Sequence, residues 1–221
     1  MNLSQLEASF RVDADDAVKP YLWSSDEVIG WFNEAEEEAC LRANLIPEKE
    51  DPAICQIAVS QADGSVYRLH ELIHEIEYVS LTDAAGVRYR LDITDRHELD
   101  RIRPNWRTES RRPTGIIRYD TKLELDSVVD GSYTLNIEVF RLPRRPMAAE
   151  KDCPEINRIH HKHLVQWVLH RAYEKPDSET LNPEKSARAL AKFEEYFGTR
   201  PDANQRRNEN ANLPHRTKAY W

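Results

Sequence analysis

An α+β fold follows from two changes in apolar period and one loss of it. Apolar residues recur at helical steps up to about residue 52, alternate with polar ones from 53 to 142, and return to helical steps from 143 to 198. After Gly198 the periodicity stops. The prediction is a helical bundle made of an N-terminal helix and two C-terminal helices (1–52 and 143–198). Into it is inserted an antiparallel β-sandwich or barrel-like domain (53–142), and an extended C-terminal arm (199–221) follows.

The first strong helix signal is at Ser24. Ser24 and Glu27 form a capping box, and Trp23 with Val28 forms a hydrophobic staple. Val28, Phe32, Ala35 and Ala39 then recur at three- and four-residue steps, with Ile29 and Trp31 widening the stripe. Glu34, Glu36, Glu37 and Glu38 occupy the opposite face, and Pro47 and Pro52 end the region.

Strand alternation is read in AICQIAVS, GVRYRLDI, GIIRYDTKLEL and SYTLNIEVFRL, with turn residues at 61–65, 83–86 and 130–132. Residues 94–114 are polar, arginine-rich and broken by Pro104 and Pro113, which predicts a long loop. A second helix begins between Asp152 and Asn157 and places Ile159, Leu164, Trp167, Val168 and Ala172 on one face. A third starts at Asn182 with Pro183 at its first position and stops at Gly198, its inner stripe being Ala187, Leu190, Phe193 and Phe197. Trp31, Phe32, Trp167, Leu190 and Phe197 are expected in the core.

The chain has 221 residues, enough for a core that needs no disulfide or metal. No run approaches a membrane span, and the first residues lack the pattern of a secretory signal. Cys40, Cys55 and Cys153 have no metal-like spacing and are odd in number, which fits a reducing cytoplasm. The net charge of −8 is uneven. Residues 24–52 carry nine acidic against two basic side chains, and 101–118 carry six arginines against one glutamate. Beyond Gly198 there are five basic and two acidic residues. Such alternation disfavours a simple nucleic-acid binder and suits a chain that meets other protein surfaces.

One motif invites an enzymatic reading. His70-Glu71-Leu72-Ile73-His74 matches H-E-x-x-H, in which two histidines one helical turn apart bind zinc and the glutamate acts as base. Nothing marks a third ligand among Asp92, Asp95 and Glu98, the metzincin extension fails at Glu77 and Ser80, and 74–79 reads as strand. His160 and His163 also look metal-like but lack a completing carboxylate or thiol. With six glycines there is no phosphate loop, and no nucleophile elbow occurs. The expectation is therefore no catalytic residue, no metal and no cofactor.

The C-terminal pair of helices carries a family resemblance. His161-Lys162-His163-Leu164-Val165-Gln166-Trp167-Val168-Leu169-His170-Arg171-Ala172-Tyr173 leads to Lys175-Pro176-Asp177, then Asn182-Pro183-Glu184, and closes on Phe193-Glu194-Glu195-Tyr196-Phe197-Gly198. This resembles the paired helices of head–tail adaptor (connector) proteins of tailed bacteriophages. Trp23-Ser24 through Asn33-Glu34-Ala35, Glu98-Leu99-Asp100 with Pro104-Asn105-Trp106-Arg107, and Arg141-Leu142-Pro143 resemble further segments of that family in the same order. The likeness spans about residues 11–198.

What the resemblance implies is a structural virion protein of the neck, made in the host cytoplasm. It would form a homo-oligomeric ring, usually of twelve subunits, beneath the portal protein. The ring would extend the DNA channel without sequence-specific DNA contact and receive a downstream tail or nozzle protein. Another neck or tail component, such as a tail-tube or nozzle protein, is the alternative, and a zinc peptidase using His70, Glu71 and His74 the less favoured one. Beside this, charge and aromatic content single out Arg111, Arg112, Arg206, Arg207, Arg216, Tyr220 and Trp221 as partner-binding residues.

Overall fold

Helix formation starts at Asn2, ahead of the capping box at Ser24. The Asn2 side chain accepts from the Gln5 N–H while Gln5 accepts from the Asn2 N–H, which closes a capping box that the sequence reading passed over. The computed structural model describes residues 1–176 and 180–201. In chain order the helices are α1 (Leu3–Asp13), α2 (Ser25–Ala43), α3 (Pro52–Cys55), α4 (Arg96–Ile102), α5 (Leu164–Glu174) and α6 (Pro183–Phe197). The strands are β1 (Pro47–Glu48), β2 (Gln56–Val59), β3 (Val66–Arg68), β4 (Ile73–Asp83), β5 (Arg88–Ile93), β6 (Gly115–Arg118), β7 (Lys122–Leu125) and β8 (Tyr133–Arg141). The extended arm expected after Gly198 lies, from residue 202 on, outside the described residues.

The chain divides into two compact units, Met1–Pro47 with Arg141–Arg200 and Glu48–Phe140. The first is helical. Leu3, Leu6 and Phe10 of α1, Val28, Phe32, Ala35 and Ala39 of α2, Leu164, Trp167, Val168 and Ala172 of α5, and Ala189, Phe193 and Phe197 of α6 share one core. Trp23 is 1% exposed, meets Phe10 and Tyr173 edge-on, and donates its indole N–H to the Ala172 carbonyl at 3.2 Å. Arg11 is buried beside it and binds Asp16, Glu7 and the Trp23 carbonyl, which fixes the path between α1 and α2.

Several expected positions move. Trp31 and Leu190 are only partly buried, and Ala187 faces solvent while Ser186 and Ala189 turn inward. Ile159 is exposed because residues 158–163 form a 3₁₀ turn ahead of α5, whose tighter winding rotates it off the α5 stripe. Glu36 and Glu38 are buried and not solvent-facing. Glu36 accepts the backbone N–H groups of Glu155 and Ile156, and Glu38 pairs with Arg42 and Arg200. Asn33 clamps the returning chain from the same helix: its side chain donates to the Met147 carbonyl at 3.0 Å and accepts from the Met147 N–H at 2.8 Å.

The second unit is a mixed sheet that curls into a half-barrel, in the order β1-β8-β4-β5-β6-β7-β3 with β2 also on β8. Its core takes Val79, Leu81, Leu91, Ile116, Leu123, Leu125, Leu135, Ile137 and Val139. Most described pairings are antiparallel, but β5 and β6 run parallel, with α4 in the connection between them. The stretch GIIRYDTKLEL is a hairpin and not one strand: β6 and β7 pair Ile116 with Leu125 and Arg118 with Leu123, turning at Asp120-Thr121. Gly115 sits where β6 meets β5, and a Cβ there would lie 3.1 Å from the Asp92 carbonyl. Residues 53–55 are a helical turn capped by Asp51. Likewise, part of the expected 94–114 loop is α4, capped by Asp95 with Leu99 buried against Trp106 and Ile117.

Candidate partner interface

Most arginines of the segment 101–118 are fastened within their own unit. Asp126, 2% exposed, accepts from Arg103 at 2.6 Å, Arg111 at 2.8 Å, the Thr114 hydroxyl at 2.9 Å and the Thr114 N–H at 3.0 Å. The backbone supports the same loop: Arg111 donates to the Val128 carbonyl, Val128 donates to that of Glu109, and Ser110 bridges Val128. Arg107 grips Asp100 through two nitrogens and lies 4.4 Å from the Trp106 ring centre, while the Trp106 indole donates to Asp100 at 2.8 Å. Those bonds, Arg107's first, depress the Asp100 carboxyl to about 2. Arg118 pairs with Glu75 and donates to the His74 carbonyl.

Two arginines of the segment remain largely in solvent. Arg101 is exposed beside Glu98, and Arg112 is exposed with its guanidinium 4.0 Å over the Tyr89 ring. Arg111, singled out from sequence, is thus committed internally through one nitrogen, and Arg112 is presented outward. Arg206, Arg207, Arg216, Tyr220 and Trp221 lie outside the described residues. Asp126, Arg103 and Glu109 were not anticipated. Asp126 lies 15 and 23 residues from Arg111 and Arg103 in sequence, and no local pattern announces such a cluster.

The acidic run on α2 is also mostly spent inside its own unit. Glu34 pairs with Arg171, Glu27 with Lys175, and Glu38 with Arg42 and Arg200. Burial pushes the Glu36 carboxyl up to about 7, despite two backbone donors that pull the other way. The same burial raises the neighbouring Cys40 thiol to about 12, far from a reactive thiolate. Asp26 and Glu37 stay exposed.

The zinc-like motif loses its geometry. His70 lies in a loop, where its ring accepts from the Leu72 N–H, and His74 is in β4, so the two are not one turn apart on a helix. Among the described residues no group of three His, Cys, Asp or Glu side chains could hold a metal. Three further histidines tie the 3₁₀ turn to its surroundings. His163 stacks on Tyr196 at 3.4 Å, His160 meets the Tyr196 hydroxyl at 3.1 Å, and buried His161 contacts the Ile156 carbonyl at 3.0 Å. Burial lowers the pKa of both His160 and His163. A polar cleft of about 310 Å³ on the sheet is lined by Lys49, Gln56, Ser80, Arg88, Asn136 and Glu138, among others. No described helix is long and apolar enough to cross a membrane.

No curated protein matches the chain. The family model described as SU10 adaptor protein matches residues 1–218, which takes in both units and every side chain named above up to Arg216. With its helical unit, its inserted curled sheet and its internally fastened charge, the chain belongs to the SU10 adaptor protein family, a family of phage adaptors.

Proposed function

We propose that this protein is a head-to-tail adaptor of the phage neck, a structural subunit that forms a ring beneath the portal, extends the DNA channel and receives the tail. The observation that carries the reading is the match of the adaptor family model to nearly the whole chain. Physical features support it. A closed ring is built from heterologous contacts, in which one surface meets a different surface of the next copy. Complementary charge sets the register of such contacts, and the arginine segment is held in place by bonds to Asp126 and Asp100. A net charge of −8 limits adhesion of passing DNA, since uncompensated basic side chains hold phosphate without regard to sequence.

The ring is proposed to have twelve subunits, with the portal protein above and a tail or nozzle protein below. The test is electron microscopy of the purified protein with and without isolated portal rings. The expected result is a ring of adaptor density seated on the portal, twelve-fold in projection. Portal rings that stay bare at micromolar adaptor would sink the reading.

A further inference from the structure

We propose that the Arg103–Arg111 fork is a docking point for an acidic side chain of a second copy of this chain, held closed in the free subunit by Glu109. The inference rests on the adaptor-ring reading and names one contact in it. Both arginines spend one nitrogen on Asp126. The Nη1 of Arg103 and the Nε of Arg111 are buried and have no hydrogen-bond partner. Each lies 3.9 Å from the same atom, Oε2 of Glu109. That is beyond hydrogen-bond length, so Glu109 neutralises the pair without satisfying it.

A buried charged donor left unbonded is costly, and two of them facing one oxygen-sized position favour any carboxylate that reaches hydrogen-bond distance. Glu109 is a weak occupant. Its side chain is 45% exposed, while its backbone is committed to Asn105 and Val128 and holds it one step back. The arginine side chains are 25% and 29% exposed and that of Glu109 is 45% exposed, so Glu109 is the member of the group whose departure would uncover the two buried nitrogens. When Glu109 swings out, Arg103, Arg111 and Asp126 leave a net positive charge with two free donors. An incoming carboxylate then replaces Glu109, charge for charge.

The occupant is argued from the chain's own charge. A copy at net −8 offers exposed carboxylates, among them Asp13, Asp15, Asp26 and Glu37, none of which has an ion pair among the described residues.

The experiment measures self-association of the full-length protein by sedimentation velocity, for wild type, Glu109→Gln, Arg103→Gln and Arg111→Gln. Circular dichroism checks that each variant is folded. Glu109→Gln removes the competing charge and keeps the backbone bonds, so it is expected to tighten association about fivefold, the scale of one half-exposed ion pair. Either arginine substitution is expected to weaken it by a similar factor and to cancel the Glu109→Gln gain in a double variant. If copies associate equally well in all variants, the docking point is wrong while the ring reading stands. If no variant associates with itself or with the portal, the ring reading falls and takes this contact with it. Should Glu109→Gln change only the affinity for a short DNA duplex, the occupant is phosphate and the proposal is overturned. If the arginine variants fail to fold, Glu109→Gln alone decides: an unchanged association constant refutes the competition.

Discussion

Glu36 shows how a residue that looks like surface charge becomes a pH-sensitive part of the core. It is 2% exposed, and burial raises its carboxyl to about 7. The folded protein therefore holds this proton more tightly than the unfolded chain, where the group returns to about 4.5. Stability from this site is fully present below the unfolded value and declines as pH rises from about 4.5 towards 7. Glu36→Gln keeps an amide oxygen for the Glu155 and Ile156 N–H groups and removes the ionisation. Relative to wild type it should gain on the order of 1–3 kcal/mol at pH 8 and little at pH 5, read from urea unfolding at both. An equal difference at the two pH values would refute the buried-acid account. No reading of one sequence finds this, because the E-A-E-E-E run is the same string whether the returning chain covers it or not. What was legible was the capping box at Ser24–Glu27, whose partners are three residues apart.

Elements were legible in proportion to how much of their stabilisation is local. The start of α6 at Asn182-Pro183 and its stop at Gly198 follow from caps written in the chain, and Gly198 sits at φ 86, where side chains are strained. Its neighbour α5 has a strong apolar stripe, and Trp167 packs on Phe193 with Arg42 above its ring. Trp167→Ala should cost about 3–5 kcal/mol in chemical denaturation, as large core truncations do. By contrast α4 has one buried residue, Leu99, and is held by its Asp95 cap and its contact with Trp106, so it has no periodicity to read. Helix α1 did carry a signal in Asn2, Gln5, Leu3, Leu6 and Phe10, but three buried apolar positions in eleven residues make a faint stripe. The start of the segment after β8 is held by Asn33, which mimics a backbone partner for Met147. Asn33→Ala should lose about 2–3 kcal/mol, since it leaves two half-buried backbone groups unpaired, whereas Asn33→Asp should lose less by keeping the acceptor. Equal losses for the two substitutions would mean that packing, and not this clamp, holds the segment.

At the scale of the whole molecule, the order of helix, sheet and helix pair was legible because the apolar period changes at each boundary, while the charge pattern misled. The acidic α2 run and the arginine segment look complementary in sequence, yet each is largely neutralised inside its own unit, which leaves fewer free charges for partners than a count suggests. That shifts weight to residues beyond the helical unit for the proposed attachment to the portal. Residues 202–221 carry Arg206, Arg207, Arg216 and Lys218 against Asp202 and Glu209, and end in Tyr220-Trp221. Basic side chains beside two aromatics are the composition that interface anchors favour: the rings supply contact area and the arginines steer the approach. The expected outcome is that a chain lacking residues 214–221 folds with an unchanged melting temperature but no longer seats on portal rings. Tyr220→Ser with Trp221→Ser should weaken portal binding at every ionic strength. Arg206→Gln with Arg207→Gln should weaken it only at low salt, because exposed charges are screened within about 8 Å at physiological ionic strength. The distinction matters for mechanism, since an aromatic anchor slows dissociation while steering charge speeds association. Surface plasmon resonance on immobilised portal separates the two rates. Truncated protein that binds portal with wild-type rates would leave the attachment to the described units alone.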